Sequence, residues 1–559
     1  MAMRTHRLSL IAGAALAALS LPAQAGQNSE RSTVAAPPAA SCKAPAAAPK
    51  VEEEAAGPPT FYEGLGYAGI VPDTQNAVAR RWFEQGVRLI WAYDEVEAVR
   101  AFQAAQALDP ECAMCFWGEA WARGPTLNLQ PRTEEYGAAS AAVAKAAALG
   151  GKLGPRDKAL VEAMRLRVSG KQDFNGKGYR KAMARLAKRF PADDAVLVMA
   201  ADAQIIVGAE KGIKPGTDAQ KWLETVLRRH PDHSGAIHLY IHLTDFTDQQ
   251  KLAEPYADRL GRLAPGASHL VHMPSHTFFG VGRYGDAAAA NVKAMEADRA
   301  FVAAVKPVQS GYRTALYAHN NHFAIQSALM RGDGATALKS ADDYAARYPA
   351  SEDRGFRAII RAASWYAAGL HAPVESVLKM EAPEGAILKA MRLYARGEAQ
   401  ARAGNVAGVR AEAAALAAFR AGPDGRALGA KSVESLVEMT EQILLGRAAM
   451  IAGDHAAAQI AYRKAMTLQE GAGFGSDPPP FWYPVRRSLA AALLAGGDAE
   501  GAKRQLVASL EAWPRDPLGL YLLGRAEEAL GNRATAADRL RRAEAGWAGE
   551  ITQVPLARI

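Results

Sequence analysis

The sequence predicts an all-α protein of the α-solenoid class, in which pairs of helices stack side by side. Almost everything after residue 76 reads as helical segments of about 12 to 18 residues that end at Gly or Pro. Strand-like alternation of apolar and polar residues is nearly absent. A two-helix pattern recurs, and no single pair can bury its apolar face alone, so neighbouring pairs must share one extended core.

The first part of the chain differs in composition from the rest. Residues 1–25 read as a secretory signal peptide, with the apolar run Ser9–Leu21 followed by the cleavage motif Ala23-Gln-Ala25. Residues 26–59 are rich in Ala, Pro and Ser and predict a disordered linker. We therefore expect export across a bacterial inner membrane to the periplasm. No other apolar run is long enough to be a transmembrane segment.

The repeat pattern extends over residues 60–548, which predicts one continuous superhelix followed by a tail at residues 549–559. In each repeat the second helix carries small residues where neighbours pack closely, and it often ends at a proline. Segments with this shape are Glu97–Pro110, Tyr179–Pro191, Trp222–Pro231, Ala253–Pro265, Ala337–Pro349 and Ala502–Pro514.

Composition excludes several functions. The formal net charge is +8, but acidic and basic residues are interspersed, without a basic stripe and interleaved aromatic residues. Nucleic-acid binding is therefore not expected. Three cysteines cannot form the disulfide framework of a small secreted domain.

Histidine is concentrated in one stretch, between Arg229 and Phe323. Within it, His238 and His242 are four residues apart, and His272 and His276 repeat that spacing. The two pairs are separated by 34 residues, the period of a tetratricopeptide repeat. Imidazoles should therefore occupy equivalent places on successive helices.

Pro231, Pro265 and Gly332 set the register of three consecutive repeats. Positions three or four residues apart share one helix face, and in tetratricopeptide proteins this face of the first helix lines the concave groove. Seven histidines fall on it: His238, His242, His269, His272, His276, His319 and His322. Asp245 falls on the same face as the first pair. The sequence thus predicts a histidine-lined groove over residues 235–322.

Metal binding is one interpretation of this groove. Neutral imidazole is a common metal ligand, and two histidines four apart on a helix can hold one ion. Neighbouring helices lie about 8–10 Å apart, so their imidazoles can meet on one ion. Nitrogen ligands with a carboxylate suit copper, zinc or iron better than calcium or magnesium. In the other interpretation the histidines are polar contacts to a small molecule, a peptide or a protein partner.

A second candidate constellation comprises Cys112, Cys115 and Glu119, which follow one another at helical spacing. The two cysteines predict either a disulfide in an oxidising compartment or a thiol pair for a soft metal. Glu119 and Asp245 are candidates for proton transfer in a metal-dependent reaction.

These residues resemble the exported bacterial tetratricopeptide-repeat proteins that carry a His-Met-Pro-Ser-His motif, here His272 to His276. The matching segments are Leu89–Phe102, Cys112–Asn128, Gly235–His242, His269–Tyr284, Ala318–Phe323 and Pro480–Leu494. The resemblance implies the tetratricopeptide fold and adds Asp202, which matches an acidic position, as a further catalytic candidate. The chain departs from the group at Asp94-Glu95, where many relatives carry Asn-His. If those residues are ligands in the relatives, the resemblance implies a reduced or different ligand set here.

Three functions are compatible with the sequence. The first is a periplasmic metal-dependent oxidoreductase or hydrolase with its site in the groove. The second is a protein that binds or delivers metal without turnover. The third is a non-catalytic scaffold for a peptide or protein partner.

Overall fold

All regular secondary structure in the described residues is helical, which confirms the predicted all-α solenoid class. This computed structural model describes residues 56–130, 133–170, 173–209, 212–350, 353–472 and 478–559. The predicted signal peptide and nearly all of the predicted linker lie outside these residues. Within them, no helix combines the length and the apolar character needed to cross a membrane.

The chain forms two compact units, which we call the N-terminal unit (residues 42–327) and the C-terminal unit (residues 328–559). Continuity of the superhelix over residues 60–548 stays a prediction. The N-terminal unit contains the helices α1 (Ala77–Trp91), α2 (Glu95–Leu108), α3 (Ala113–Ala122), α4 (Thr133–Leu149), α5 (Pro155–Arg167), α6 (Gly176–Arg189), α7 (Asp194–Ala209), α8 (Asp218–Arg229), α9 (Ser234–Phe246), α10 (Gln250–Leu263), α11 (Ser268–His272), α12 (Pro274–Gly280), α13 (Tyr284–Val305) and α14 (Gly311–Met330), the last of which ends just past the boundary.

The C-terminal unit is a second stack of helices. They are α15 (Gly334–Arg347), α16 (Phe356–His371), α17 (Val374–Leu378), α18 (Ala386–Arg402), α19 (Val406–Ala421), α20 (Pro423–Arg426), α21 (Lys431–Ile451), α22 (His455–Gly471), α23 (Arg486–Ala495), α24 (Ala499–Ala512), α25 (Pro517–Ala529) and α26 (Arg533–Gly546). The predicted tail forms two short 3₁₀ helices, and Ile559 is buried.

A two-residue turn recurs immediately before helices of the C-terminal unit. A glycine with positive φ is followed by Asp or Asn, whose side chain caps the next helix by accepting a backbone N–H. The turns are Gly332-Asp333, Gly404-Asn405, Gly453-Asp454 and Gly497-Asp498. This local chemistry explains why each helix ends, and the next begins, where the repeat pattern predicts.

Small residues allow the helices of the N-terminal unit to pack closely. The Phe102 ring on α2 lies against Gly86 of α1 and Gly118 of α3. A Cβ atom added at Gly118 would lie 2.4 Å from the ring, and one added at Gly86 would lie 2.7 Å from it. The first three helices therefore depend on two glycines that face the same aromatic ring.

We expect Gly118→Val to lower the free energy of unfolding by about 1–3 kcal/mol, because the added methyl groups overpack the Phe102 ring. Chemical denaturation followed by circular dichroism measures this change. In the control Gly137→Ala, on an exposed face of α4, the added Cβ meets no atom within 4 Å. That replacement should raise stability by about 0.5–1 kcal/mol. Identical denaturation curves for Gly118→Val and the unchanged protein would contradict this account of the packing.

The helix that carries the His-Met-Pro-Ser-His motif is divided in two. Proline lacks a backbone N–H and its ring clashes with the preceding turn, so a break at Pro274 is expected. In the structure α11 ends at His272 and α12 begins at Pro274, with Met273 between them. The break places the two motif histidines on separate short helices.

Candidate metal centre

Four helices of the N-terminal unit bring the predicted histidines together. His238 and His242 lie on α9, and the remaining five lie on α11, α12 and α14. All seven side chains are buried, with exposed fractions of 5% or less. The repeat register predicts a histidine-lined groove without deciding how far it excludes water, and in the structure these imidazoles are enclosed. Six of them form two groups of three, and within each group the candidate ligand atoms all lie within 4.8 Å of one another.

The first triad consists of His238, His242 and His269. The Nε2 atoms of His238 and His269 are 3.0 Å apart. The Nδ1 atom of His238 is 2.7 Å from the Trp91 carbonyl oxygen, and that of His269 is 3.4 Å from the Tyr312 hydroxyl. A carbonyl only accepts hydrogen bonds, so Nδ1 of His238 carries the hydrogen and its Nε2 directs a lone pair into the triad.

His242 completes the first triad in a different way. Its Nε2 atom is buried and makes no hydrogen bond within the described part of the chain. Its ring centroid is 4.8 Å from that of His238 and 6.1 Å from that of His269. A buried nitrogen without a hydrogen-bond partner is costly unless another group, such as a metal ion, satisfies it.

The second triad consists of His272, His276 and His319. The Nε2 atoms of His272 and His276 are 2.9 Å apart. The Nδ1 atom of His272 is 2.7 Å from the Asn291 side-chain oxygen, and that of His276 is 3.5 Å from a carboxylate oxygen of Asp245. The outer nitrogens of His272 and His276 therefore face oxygen atoms, the arrangement that orients metal-ligating histidines.

The hydrogen bonds of His272 and His276 cannot all be satisfied when both of these imidazoles are neutral. Asn291 donates through Nδ2 to the Ala287 carbonyl, which directs its oxygen at His272 and makes Nδ1 of His272 the donor. The Nε2 atom of His272 then carries a lone pair. If His276 donates to it, Nδ1 of His276 directs a lone pair at the Asp245 carboxylate. If Nδ1 of His276 instead donates to Asp245, two Nε2 lone pairs oppose each other at 2.9 Å. An additional cation, either a proton or a metal ion, removes the conflict.

The two triads lie side by side. The ring centroids of His269 and His272 are 5.9 Å apart, and those of His242 and His276 are 6.2 Å apart. His322 lies outside both triads, and its Nε2 atom is 2.8 Å from the Gln326 side-chain nitrogen. The cluster therefore contains six of the seven predicted histidines in two adjacent groups.

Electrostatics favour the unprotonated state, which metal ligation requires, at His238, His242, His269, His272, His319 and His322. Burial lowers the pKa of His238 and of His322 to about 3. Burial, reinforced by neighbouring imidazoles, also places the pKa of His242, His269 and His319 well below the ordinary value. The same combination depresses the pKa of His272, against the opposing hydrogen bond to Asn291. Near neutral pH these side chains are available as lone-pair donors.

Aromatic rings cover both triads. The Tyr93 ring lies 4.5 Å from that of His238 and 5.2 Å from that of His269. Tyr93 has φ of 54°, a left-handed conformation that is strained for a bulky residue and is held only by its surroundings. Phe323 packs against the second triad, with its ring 4.8 Å from that of His276 and 5.4 Å from that of His272.

The structure brings one of the three predicted acidic residues to the histidines. Asp245 faces His276 of α12, whereas the repeat register grouped it with the pair on α9. Glu119 instead accepts hydrogen bonds from Gln106 at 2.8 Å and Arg123 at 2.9 Å. Asp202 is buried on α7, and burial raises its pKa to about 7 despite a nearby arginine. Among the described residues, no hydrogen bond or ion pair joins Glu119 or Asp202 to either triad.

Cys112 and Cys115 form a disulfide, the first of the two predicted alternatives. Cys112 lies just before α3, where it is the N-terminal capping residue, and both side chains are fully buried. No thiol is left in this pair to bind a soft metal. The disulfide therefore fixes the start of α3.

Several residues around the triads are absent from the predicted set. They are Asn291 on α13, Tyr312 on α14, and Tyr93 between α1 and α2. Helical periodicity predicts which face of a helix is buried, but it does not predict which buried side chain contacts a histidine. Their roles depend on the side-chain orientations that the fold imposes. His233, by contrast, caps α9 by accepting the Ala236 N–H through Nδ1.

Comparison with known proteins gives no match to a family model and no match to a curated sequence. Solved structures with similar chains include a human IFIT1 dimer with m7Gppp-AAAA, with 14% identity over 85% of this chain and 91% of that chain and a TM-score of 0.29. Another is Naa15/Naa10 bound to HypK-THB, with 12% identity over 86% and 90% of the two chains and a TM-score of 0.22. A third is the P58(IPK) TPR domain, with 13% identity over 82% and 99% and a TM-score of 0.23.

Proposed function

We propose that the N-terminal unit is a transition-metal protein that binds two copper ions, one in each triad, and uses them for redox chemistry. The observation that carries this proposal is the pair of buried triads, in which ring nitrogens converge within 4.8 Å. The outer nitrogens of His238, His269, His272 and His276 face oxygen atoms. Such outer contacts orient imidazoles toward a metal ion and increase their basicity.

The spacing of the nitrogens supports metal binding. Nitrogen ligands about 2.0–2.1 Å from a tetrahedral ion are about 3.3 Å from one another. The closest pairs in the two triads are 3.0 Å and 2.9 Å apart. Small movements of the rings would therefore bring each triad into ligating geometry.

The ligand set favours copper over the other candidates. Six imidazoles provide no negative charge, and Asp245 is the carboxylate that the structure places in contact with them. Burying a dication beside neutral ligands costs free energy, and copper(I) carries half that charge. Copper(II) also has the highest affinity among divalent first-row metals for nitrogen ligands. A centre that cycles between these two states suits redox chemistry.

The positions of the acidic residues support redox chemistry over hydrolysis. A general base must come within hydrogen-bonding reach of the water that it activates. Asp245 already faces Nδ1 of His276, while Glu119 is engaged by Arg123 and Asp202 is buried on α7. None of these contacts positions a carboxylate over the first triad.

The proposal is tested by elemental analysis of the mature protein, purified without a histidine tag and reconstituted with copper under reducing conditions. We expect two copper ions per chain, one for each triad. A content below about 0.2 transition-metal ions per chain would overturn metal binding, because the ligands are neutral and available at pH 7. Stoichiometric zinc without copper would overturn the choice of metal.

Asp245→Asn should weaken metal binding at the second triad by about 10–100-fold, the usual effect of removing an outer carboxylate partner of a histidine ligand. The first triad should keep its affinity, since its outer partners are a carbonyl and a hydroxyl. Competition with a chromophoric chelator measures both affinities. Asp232→Asn, at an exposed position in the same unit, is the control that should change neither. Equal weakening of both sites by Asp245→Asn would contradict the assignment.

We also propose that the protein is exported to the periplasm. The signal-like residues 1–25 motivate this proposal, and the Cys112–Cys115 disulfide supports an oxidising compartment. N-terminal sequencing of the protein purified from its native cell tests it. We expect the mature chain to begin at Gly26 in the periplasmic fraction, and an intact chain in the cytosol would contradict export.

A further inference from the structure

The two triads differ in the space beside them. A cavity of about 40 Å³ lies against His269, the one member of the first triad on its wall. Its wall includes Tyr93, His269 and the apolar side chains of Leu65, Phe301 and Leu316. No residue of the second triad lines this cavity, and Phe323 packs against all three of its rings.

The cavity sets an upper limit on the size of a ligand. One water molecule needs about 10–15 Å³ measured in this way, so the cavity holds roughly three. A molecule of two or three heavy atoms fits beside His269 without displacing the walls.

The charges around the two triads also differ. The outer partners of the first triad are the neutral Trp91 carbonyl and Tyr312 hydroxyl, whereas the second triad has the Asp245 carboxylate. Among the described residues, no carboxylate forms a hydrogen bond or ion pair with the three histidines of the first triad. A small anion or a polarised water molecule in the cavity would supply the missing charge.

Another ionic group lies on the wall of the cavity. Arg313 forms ion pairs with Asp94 at 2.5 Å and with Asp298 at 3.5 Å, and all three residues line the cavity, so two carboxylates outweigh one guanidinium there. Its guanidinium group also lies 4.8 Å from the centre of the Phe301 ring. Because two carboxylates hold this arginine, it is not a free anion-binding group. The metal ion itself must then be the main attraction for an anion.

We propose that the first triad is an open metal site, which takes a neutral or anionic ligand of two or three heavy atoms from this cavity, and that the second triad is a closed site. Metal sites with a structural role are fully ligated and covered, whereas reactive ones keep a position for an exogenous ligand. The inference rests on the metal binding proposed above. It assigns the exchange of small molecules, and hence the chemistry, to His238, His242 and His269.

The test uses the full chain loaded with cobalt(II), whose visible absorption reports coordination, and azide as the probe ligand. Azide should change the spectrum saturably in the unchanged protein. His242→Ala should lose one cobalt ion and the azide response together. His319→Ala should also lose one cobalt ion but keep the azide response. The reverse pattern would overturn the assignment of open and closed sites.

A pair of cavity variants tests the route of the ligand. Leu65 lines the cavity and is not a candidate metal ligand. Its replacement should therefore leave two cobalt ions bound. Leu65→Phe, which fills the space, should weaken azide binding by about tenfold or more. Leu65→Ala, which enlarges the space, should retain azide binding. Equal azide affinity in all three proteins would overturn the cavity as the route.

Failure of the two proposals can be distinguished. If cobalt binds to neither triad, the proposed metal protein and the open site both fail. If two cobalt ions bind and azide leaves the spectrum unchanged, the metal protein stands and the open site is overturned.

Discussion

His272→Ala removes the metal ion from the second triad and leaves the helical fold intact. The loss of affinity should exceed about 100-fold, because removal of an outer-sphere partner alone costs about 10–100-fold. His272 supplies a ligand nitrogen and also forms the contact that fixes Asn291, 2.7 Å away. Chelator competition measures the affinity, and far-ultraviolet circular dichroism measures the helix content.

The matched control is His230→Ala. His230 lies in the same unit, but its side chain is 57% exposed and pairs with Asp194. Its replacement should leave both metal affinities unchanged. Unchanged metal binding in His272→Ala would contradict its role as a ligand, and loss of helix content at 25 °C would show that the residue is needed for folding.

Glu95→Gln raises the stability of the protein at pH 8 and has little effect near pH 4.5. Glu95 is buried, and one of its carboxyl oxygens makes no hydrogen bond in the described part of the chain. Burial, with smaller contributions from Asp94 and Asp202, raises its pKa from 4.5 to about 8. The folded state therefore holds a proton that the unfolded state releases above pH 4.5.

The sign of the pH effect follows from that difference. The stabilisation from a neutral Glu95 is complete below the unfolded pKa and is lost as the pH rises through the folded pKa. At pH 8 the cost amounts to at most about 4 kcal/mol, and glutamine, which cannot ionise, avoids it. Thermal unfolding across this pH range measures the effect. The control Glu296→Gln, at an exposed position of α13, should show no pH-dependent gain. A gain for Glu95→Gln that is equal at both pH values would contradict the account.

The sequence predicts the fold and which histidines lie on one helix face, because both depend on residues that are close together in the chain. Helix ends follow from turns such as Gly332-Asp333, and the 34-residue spacing of His238 and His272 follows from the repeat length. Six of the seven predicted histidines meet in the two triads. His322 lies on the same face of α14 as His319 but one turn further along, where Gln326 is its neighbour.

The division into two triads could not be predicted in the same way. It depends on the side-chain orientations imposed by packing, which place His269 of α11 in the first triad and His272 of the same helix in the second. The enclosure of the first triad depends on Tyr93, whose left-handed backbone has no signal in a sequence pattern. These features result from contacts between residues that are distant in the chain.

Glu119 and Asp202 show a different limit of prediction from the sequence. Residue type and helical spacing selected Glu119, but Arg123 lies four residues further on the same helix and forms an ion pair with it. That spacing is itself a local signal for a structural pair. Asp202 was selected by resemblance, which gives a position in the repeat but not its surroundings. Neither residue reaches the histidines in the structure.

Anomalous X-ray diffraction at the copper absorption edge, from crystals of the reconstituted full chain, tests the central claim most directly. We expect two anomalous peaks, one among Nε2 of His238, the His242 ring and Nε2 of His269, and one among the rings of His272, His276 and His319. Azide in the crystal should add density at the first peak and leave the second unchanged. Well-ordered triads without an anomalous peak, in crystals reconstituted with copper, would contradict the account.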